Sequence, residues 1–200
     1  MKIELFEHYP ALASQKEVLE TARELLIDTY RQGGKLLLCG NGGSAADCDH
    51  IAGELLKGFA SKRELTPDLR AAMGEELAGR LEMGLPAISL PSQGAVISAF
   101  CNDVDAETVY AQLTLALSKP GDLLWCISTS GNSANVVAAA RVAKALGVRV
   151  IGMAGERKCA LDELCDVVLH APAIDTYRVQ EYHLPMYHWL CAEVEEYFFC

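Results

Sequence analysis

The nine residues Leu36–Ser44, LLLCGNGGS, decide the fold, because an apolar strand meets the start of a helix in them. The strand is predicted over Lys35–Cys39, and a polar, glycine-rich turn follows it at once. Ser44 is a preferred first residue of a helix, and apolar residues continue at helical spacing to about Gly58. The stretch therefore predicts a strand, a tight turn and a helix in direct succession.

A second stretch repeats this pattern. A strand predicted over Asp122–Ile127 leads into Ser128–Ser133, STSGNS, which precedes a helix over Asn135–Leu146. Such turns offer backbone N–H groups and hydroxyls at the positive end of a helix, where a phosphate is favoured. The first turn alone is equally consistent with a tight turn and a helix cap. The second carries four hydroxyl groups, more than a cap requires, so the two turns together predict phosphate or sugar-phosphate binding.

Strands and helices alternate along the rest of the chain. Further strands are predicted at 85–90, 148–153 and 167–170, and further helices at 12–31, 91–101, 106–117, 161–164 and 178–199. Asn102-Asp103 is expected to end its helix, and 61–83 is expected to form a helical insertion that begins at Thr66-Pro67. This order predicts one α/β domain over residues 1–200, a parallel sheet with helices on both faces. Both polar turns then meet at the carboxyl ends of the strands.

Composition narrows the class of protein. Of the 200 residues, 51% are hydrophobic and the net charge is −10, which disfavours a nucleic-acid partner. No apolar run approaches a membrane span, and the first residues lack a signal-peptide core. The eight cysteines form no CxxC pair, so buried reduced thiols are expected, Cys39, Cys101, Cys126 and Cys191 among them. We expect a cytoplasmic protein without nucleic-acid or membrane partners.

Titratable side chains occur on two of the predicted helices. His50 and Glu54 lie one turn apart and share a face, which suits two metal ligands, an acid/base pair or merely a solvated helix pair. On the last helix, His183 and His188 point about 140° apart and should not reach the same site. Gln180 and His188 lie roughly 12 Å apart along the axis. Sharing one metal would need long reach, a frayed helix start or a bend at Pro185.

These motifs resemble those of the phosphoheptose (sedoheptulose 7-phosphate) isomerases, which have the SIS (sugar isomerase) fold. The segment Cys39–Asp47, with His50 and Glu54, is similar to their opening motif. Asn102-Asp103, Ile127–Ser133 and Arg178–His183 resemble their later motifs in the same order. The resemblance covers roughly residue 22 to the C-terminus.

The resemblance implies a single SIS domain that interconverts sedoheptulose 7-phosphate and D-glycero-heptose 7-phosphate. It implies a homotetramer with sites at subunit interfaces, and one Zn²⁺ per subunit held by His50, Glu54, Gln180 and His188. The sugar-phosphate contacts that it implies are Asn41, Gly42, Gly43, Ser44, Asn102, Asp103, Ser128, Thr129, Ser130, Ser133 and Gln180.

Three features depart from the family pattern. Gly58 stands where these isomerases usually have an arginine, and Lys57, Lys62 and Arg63 are the candidates to supply that charge. The 61–83 segment is longer than usual, and Pro91–Gly94 replaces a Thr/Asp-rich segment. These changes leave open which ketose phosphate is the substrate.

The expected chemistry is aldose–ketose isomerisation through an enediol. Glu54 is the candidate base and His188 the acid/base partner, while zinc would polarise the carbonyl. The alternatives are a non-catalytic SIS module that senses a sugar phosphate or binds a protein, and an isomerase of another ketose phosphate. Retention of both Glu54 and His188 favours an enzyme.

Overall fold

A computed structural model describes residues 3–200 and contains a five-stranded sheet in the order β2-β1-β3-β4-β5. All four pairs of neighbouring strands are parallel. The strands are β1 (Leu36–Gly40), β2 (Ala87–Ser89), β3 (Leu123–Ile127), β4 (Arg149–Ala154) and β5 (Val167–His170). β1 and β3 are wholly buried, as expected where helices cover both faces. The predicted α/β class and parallel sheet are confirmed.

Most helices lie close to the predicted positions, but the short helix Leu5–His8 was not predicted and the helix expected at 161–164 is a 3-10 turn. They are α1 (Leu5–His8), α2 (Lys16–Arg31), α3 (Gly43–Leu56), α4 (Pro67–Met73), α5 (Glu75–Ala78), α6 (Gly94–Asp103), α7 (Val109–Leu117), α8 (Ala134–Ala145) and α9 (Thr176–Phe199). Short 3-10 turns occupy Pro10–Gln15, Ala106–Thr108 and Ala160–Glu163. Within residues 3–200, no helix is both long enough and apolar enough to cross a membrane.

The alternation of side chains along β1 and β3 divides the core in two. Leu36, Leu38 and Trp125 point to one face, where they join residues of α2, α3 and α9. Leu37 and Leu124 point to the other, where α7 and α8 cover them. On the first of these faces, α3 packs directly against α9. Side chains from both helices can therefore form one site.

The prediction that Asn102-Asp103 ends the helix at Cys101 is wrong. α6 continues through Asn102 and Asp103 and is capped at Val104, whose N–H donates to the carbonyl of Phe100 at 2.9 Å. Asn and Asp are tolerated there because they stand in the last turn and remain exposed. Cys101 is also exposed, contrary to expectation, because α6 buries none of its residues, whereas Cys39, Cys126 and Cys191 are buried.

The 61–83 segment folds into two short helices and returns to its starting point. α4 begins as predicted, with the Thr66 hydroxyl accepting a hydrogen bond from the Leu69 N–H at 3.4 Å. The Met83 N–H then donates to the Arg63 carbonyl, and the Leu85 N–H to the carbonyl of Leu55. The segment therefore starts and ends beside the C-terminal end of α3.

Candidate active site

The two polar turns lie side by side at the carboxyl ends of neighbouring strands. Gly40 of β1 is in register with Ile127 of β3, so Asn41 and Ser128 leave the sheet next to each other. The side-chain amides of Asn41 and Asn135 exchange two hydrogen bonds of 2.9 Å, which join the first turn to the start of α8. The structure thus brings both turns to one edge of the sheet.

Two glycines of the first turn differ in what they contribute. Gly42 has φ +55°, a conformation that other residues rarely adopt. A Cβ on Gly43 would lie 2.3 Å from the side-chain nitrogen Nε2 of Gln180. Ser44 follows as a buried residue of the first turn of α3. Gln180 of α9 is therefore packed against the turn that precedes α3.

The second turn gathers its hydroxyl groups. The Ser128 Oγ lies 3.0 Å from the Ser133 Oγ and 3.4 Å from the Ser130 Oγ. Gly131, at φ +65°, lets the backbone turn between them. Ser128 is buried and Ser130 exposed, so the hydroxyls run from the sheet edge to the surface. Hydroxyl and backbone N–H donors in this arrangement can surround a phosphate.

Asn102 and Asp103 lie apart from these turns in the hydrogen-bond pattern. Both are exposed at the end of α6, and the Asn102 amide donates to the Asp103 carboxylate at 2.8 Å. Within residues 3–200, no hydrogen bond links these two side chains to either turn.

Two helices build a cluster of three potential metal ligands. α3 supplies His50 and Glu54 from one face, and α9 supplies His188. Their ligand atoms all lie within 4.8 Å of one another. The His50 Nε2 is 3.1 Å from the Glu54 Oε1 and 3.4 Å from the His188 Nε2. We call His50, Glu54 and His188 the triad. A solvated His/Glu pair on one helix would not require a third ligand from another helix, so the position of His188 favours a functional site.

The triad fits a metal ion in its donor chemistry. Two imidazole nitrogens and one carboxylate oxygen form a set that zinc takes in catalytic sites, where a further position stays open. His50 has 43% of its side chain exposed, so the cluster is accessible. α9 is continuous through Pro185, which leaves Gln180 about 12 Å from His188 along the helix axis.

The histidines of α9 face different surroundings, as predicted. His183 is buried with its Nε2 3.3 Å from the carbonyl oxygen of Ala154, and burial lowers its pKa to about 4. Burial, followed by the neighbouring His50, lowers the pKa of His188, and Glu54 partly opposes this shift. Both imidazoles are therefore neutral at neutral pH, but only His188 belongs to the triad.

Two of the basic residues near Gly58, Arg63 and Lys57, differ in burial and in their distance from the triad. Arg63 is fully buried and cannot reach a substrate. Lys57 lies at the rim of the triad, with its Nζ 3.5 Å from the Glu54 Oε2 and 2.9 Å from the Gly58 carbonyl oxygen. Lys57 is thus the candidate for the missing arginine that the structure places beside the triad.

Tyr187, which contacts His50, and Asp47, which contacts Tyr187, were not identified from the sequence. The Tyr187 hydroxyl is 2.9 Å from the His50 Nδ1 and 3.3 Å from the Asp47 Oδ1. Burial, together with Asp47, raises the pKa of Tyr187, which therefore keeps its proton at neutral pH. The i, i+3 spacing of Asp47 and His50 indicates a shared face, but no local signal joins Tyr187 to them.

A second polar cluster, also missed, lies beneath the loop after α3. The Glu195 carboxylate accepts hydrogen bonds from the Arg63 Nε at 2.8 Å and from the N–H groups of Phe59 and Ala60 at 2.7 Å each. Arg63 also donates to the carbonyls of Glu54 and Leu55 at the end of α3. We call Arg63 and Glu195 the clamp, because they hold the loop against α3 and α9.

Comparisons with known proteins show the family of the chain. A family model described as SIS domain matches residues 8–82 and 70–155. The phosphoheptose isomerase of Crocosphaera subtropica is 42% identical over 177 residues, 88% of this chain and 81% of that protein. The phosphoheptose isomerase of Burkholderia pseudomallei is 39% identical over 188 residues, 92% of this chain and 86% of that protein.

A solved structure gives the same result. The phosphoheptose isomerase of Neisseria gonorrhoeae aligns with a TM-score of 0.76 at 31% identity, covering 91% of this chain and 87% of that one. The chain therefore belongs to the SIS domain family and, within it, to the phosphoheptose isomerases.

Proposed function

We propose that this protein isomerises a ketose phosphate to an aldose phosphate, with sedoheptulose 7-phosphate and D-glycero-heptose 7-phosphate as the pair. The observation that carries the proposal is the position of the triad. Two of its residues lie on the helix that the first polar turn opens. A sugar anchored by its phosphate can therefore extend toward the triad. The names of the relatives support the heptose as substrate.

The proposed phosphate contacts come from both polar turns. They are Asn41, Gly42, Gly43, Ser44, Ser128, Thr129, Ser130 and Ser133, with Gln180 packed against the first turn. Asn102 and Asp103 are exposed on α6. We assign them to the site of a neighbouring subunit in the proposed homotetramer, where sites lie at subunit interfaces.

Glu54 is the proposed base because its two carboxylate oxygens face different groups. Oε1 is 3.1 Å from the His50 Nε2, and Oε2 is 3.5 Å from the Lys57 Nζ. One oxygen can remain with the triad while the other takes the proton from one of the two reacting carbons and returns it to its neighbour. His188, neutral at neutral pH, is proposed to move the proton between the hydroxyl and carbonyl oxygens.

The triad is proposed to hold one Zn²⁺ per subunit. His50, Glu54 and His188 supply a suitable donor set, and Gln180 is proposed as the fourth ligand. Two subunits contributing ligands would remove the spacing problem along α9. When bound, the ion would polarise the substrate carbonyl and stabilise the enediolate.

The proposal extends to the whole protein. Residues 1–200 act as one SIS domain in which 61–83 is an insertion. A cytoplasmic location is supported by the buried cysteine thiols of the core.

The test is an isomerase assay on five- to seven-carbon ketose phosphates, with and without added zinc. We expect turnover of sedoheptulose 7-phosphate, about one zinc per subunit and loss of turnover after chelation. Unphosphorylated sedoheptulose is the control and should be a poor substrate. If the zinc-loaded protein isomerises no ketose phosphate, the non-catalytic binding module is the correct function.

A further inference from the structure

His50 uses its two ring nitrogens in different directions. Nε2 faces Glu54 and His188, whereas Nδ1 lies 2.9 Å from the hydroxyl of Tyr187. That hydroxyl lies 3.3 Å from the Asp47 Oδ1, to which it can donate. The other carboxylate oxygen, Asp47 Oδ2, is buried and has no hydrogen-bond partner among residues 3–200. A half-buried carboxylate, with spare acceptor capacity on its enclosed oxygen, therefore lies next to the Tyr187 hydroxyl.

The direction of these hydrogen bonds decides which nitrogen of His50 is free. A carboxylate only accepts, so it draws the single hydrogen of the Tyr187 hydroxyl toward itself. The phenolic oxygen then offers a lone pair to Nδ1, which must carry the hydrogen of a neutral imidazole. Nε2 is left with a free lone pair, the form that binds a metal.

We propose that Asp47 and Tyr187 are positioning residues, which hold His50 in the Nδ1–H tautomer with its Nε2 presented to a metal ion in the triad. This inference rests on the proposed metal site. In the opposite arrangement Tyr187 would donate to Nδ1, and a hydrogen on Nε2 would point at Glu54 and block the metal. Asp47 disfavours that arrangement because its carboxylate would then lose the hydroxyl donor.

The ring of Tyr187 acts on the same site through packing. It meets His50 at a centroid distance of 5.5 Å and 74°, and His188 at 5.0 Å and 83°. These edge-to-face contacts fix the planes of both imidazoles. A substitution that keeps the ring and removes only the hydroxyl therefore isolates the hydrogen bond.

The experiment measures Zn²⁺ affinity by competition with a chromogenic chelator, in the full chain and without substrate. Tyr187→Phe is expected to bind zinc about 10- to 100-fold more weakly than the wild type, the usual cost of losing a group that orients a metal-binding histidine. Tyr30→Phe is the matched control. Tyr30 is also buried, but its hydroxyl has no hydrogen-bond partner in the described part of the chain, so this variant should keep the wild-type affinity.

Asp47→Asn provides a second, independent variant. An amide can donate as well as accept, so it no longer sets the direction of the Tyr187 hydroxyl. We expect roughly tenfold weaker zinc binding. This variant decides the question if Tyr187→Phe does not fold, as judged by thermal unfolding.

The outcomes separate the two proposals. If the wild type binds zinc and both folded variants bind it within twofold of Tyr30→Phe, the role of Tyr187 and Asp47 is refuted while the metal site stands. If the wild type binds no zinc, the metal site is refuted and this inference with it.

Discussion

α3 and α9 share two polar clusters that differ in almost every physical respect. The triad is open, with 43% of the His50 side chain exposed, and it sets two imidazole nitrogens 3.4 Å apart. The clamp is closed, with Arg63 and Glu195 side chains only 0% and 2% exposed. Glu195 follows His188 by seven positions on α9, about two helical turns.

The difference shows how one pair of helices serves function and stability separately. In the clamp, the carboxylate accepts from three backbone N–H groups and one guanidinium, which satisfies a buried charge. In the triad, the three ligand atoms lie within 4.8 Å of one another at an accessible surface, where a metal ion could contact all of them. Titratable side chains that converge from two helices at an accessible point are typical of functional sites.

The largest expected effect comes from breaking the clamp. Glu195→Gln should lower the free energy of unfolding by about 3–5 kcal/mol, because it leaves the Arg63 guanidinium buried without a counter-charge. Urea denaturation measures this. Glu193→Gln is the control on the same helix; Glu193 forms a partly exposed pair with Arg23 at 3.2 Å and should change stability by less than about 1 kcal/mol. Equal losses in the two variants would mean that the clamp contributes no more than a surface pair.

The second effect separates the triad from the clamp by activity. Glu54→Gln should reduce kcat by at least ~100-fold, about 2.7 kcal/mol, since an amide cannot accept the proton. Its unfolding free energy should stay within about 1 kcal/mol of the wild type, because Glu54 makes only rim contacts with His50 and Lys57. Zinc content is measured in the same sample. A variant that keeps zinc and isomerises at the wild-type rate would show that Glu54 is not the base.

The fold could be predicted from sequence because its signals are local. The apolar run and glycine turn at Leu36–Ser44 specify a strand and a helix within nine residues, and the second turn repeats them. The end of α6 was misplaced because Asn102 and Asp103 can break a helix or complete its last turn, and an exposed helix gives no packing signal to decide.

The candidate site was less predictable because its parts come from distant segments. The spacing of His50 and Glu54 is readable within one helix, but His188 joins them only after α9 packs on α3. The same packing pairs Tyr187 with Asp47 and Arg63 with Glu195, 132 residues apart in sequence. A lone Arg or Glu in the sequence does not reveal a buried partner, so Arg63 looked available to substrate when it is not.

The smallest expected effect is the change with pH in how much the clamp stabilises the fold. Burial alone would raise the pKa of Glu195, but hydrogen bonds from the Phe59 and Ala60 N–H groups, together with Arg63, hold it below its ordinary value. The unfolded chain therefore binds the proton at higher pH than the folded one. The stabilisation by the clamp is fully present above the ordinary glutamate pKa, about 4.3, and is lost as the pH falls through the lower folded-state value.

The lowered pKa of Glu195 therefore predicts a loss of stability at acid pH that depends on this one side chain. We call this loss the acid limb. The difference in unfolding free energy between the wild type and Glu195→Gln should be constant from about pH 8 to about pH 5 and should shrink below about pH 4. Glu54→Gln should leave the acid limb in place, because it does not touch the clamp carboxylate. Denaturation series at several pH values measure both differences. If the difference between the wild-type and Glu195→Gln unfolding free energies stays constant down to pH 3, the pKa of the clamp carboxylate is not lowered by folding.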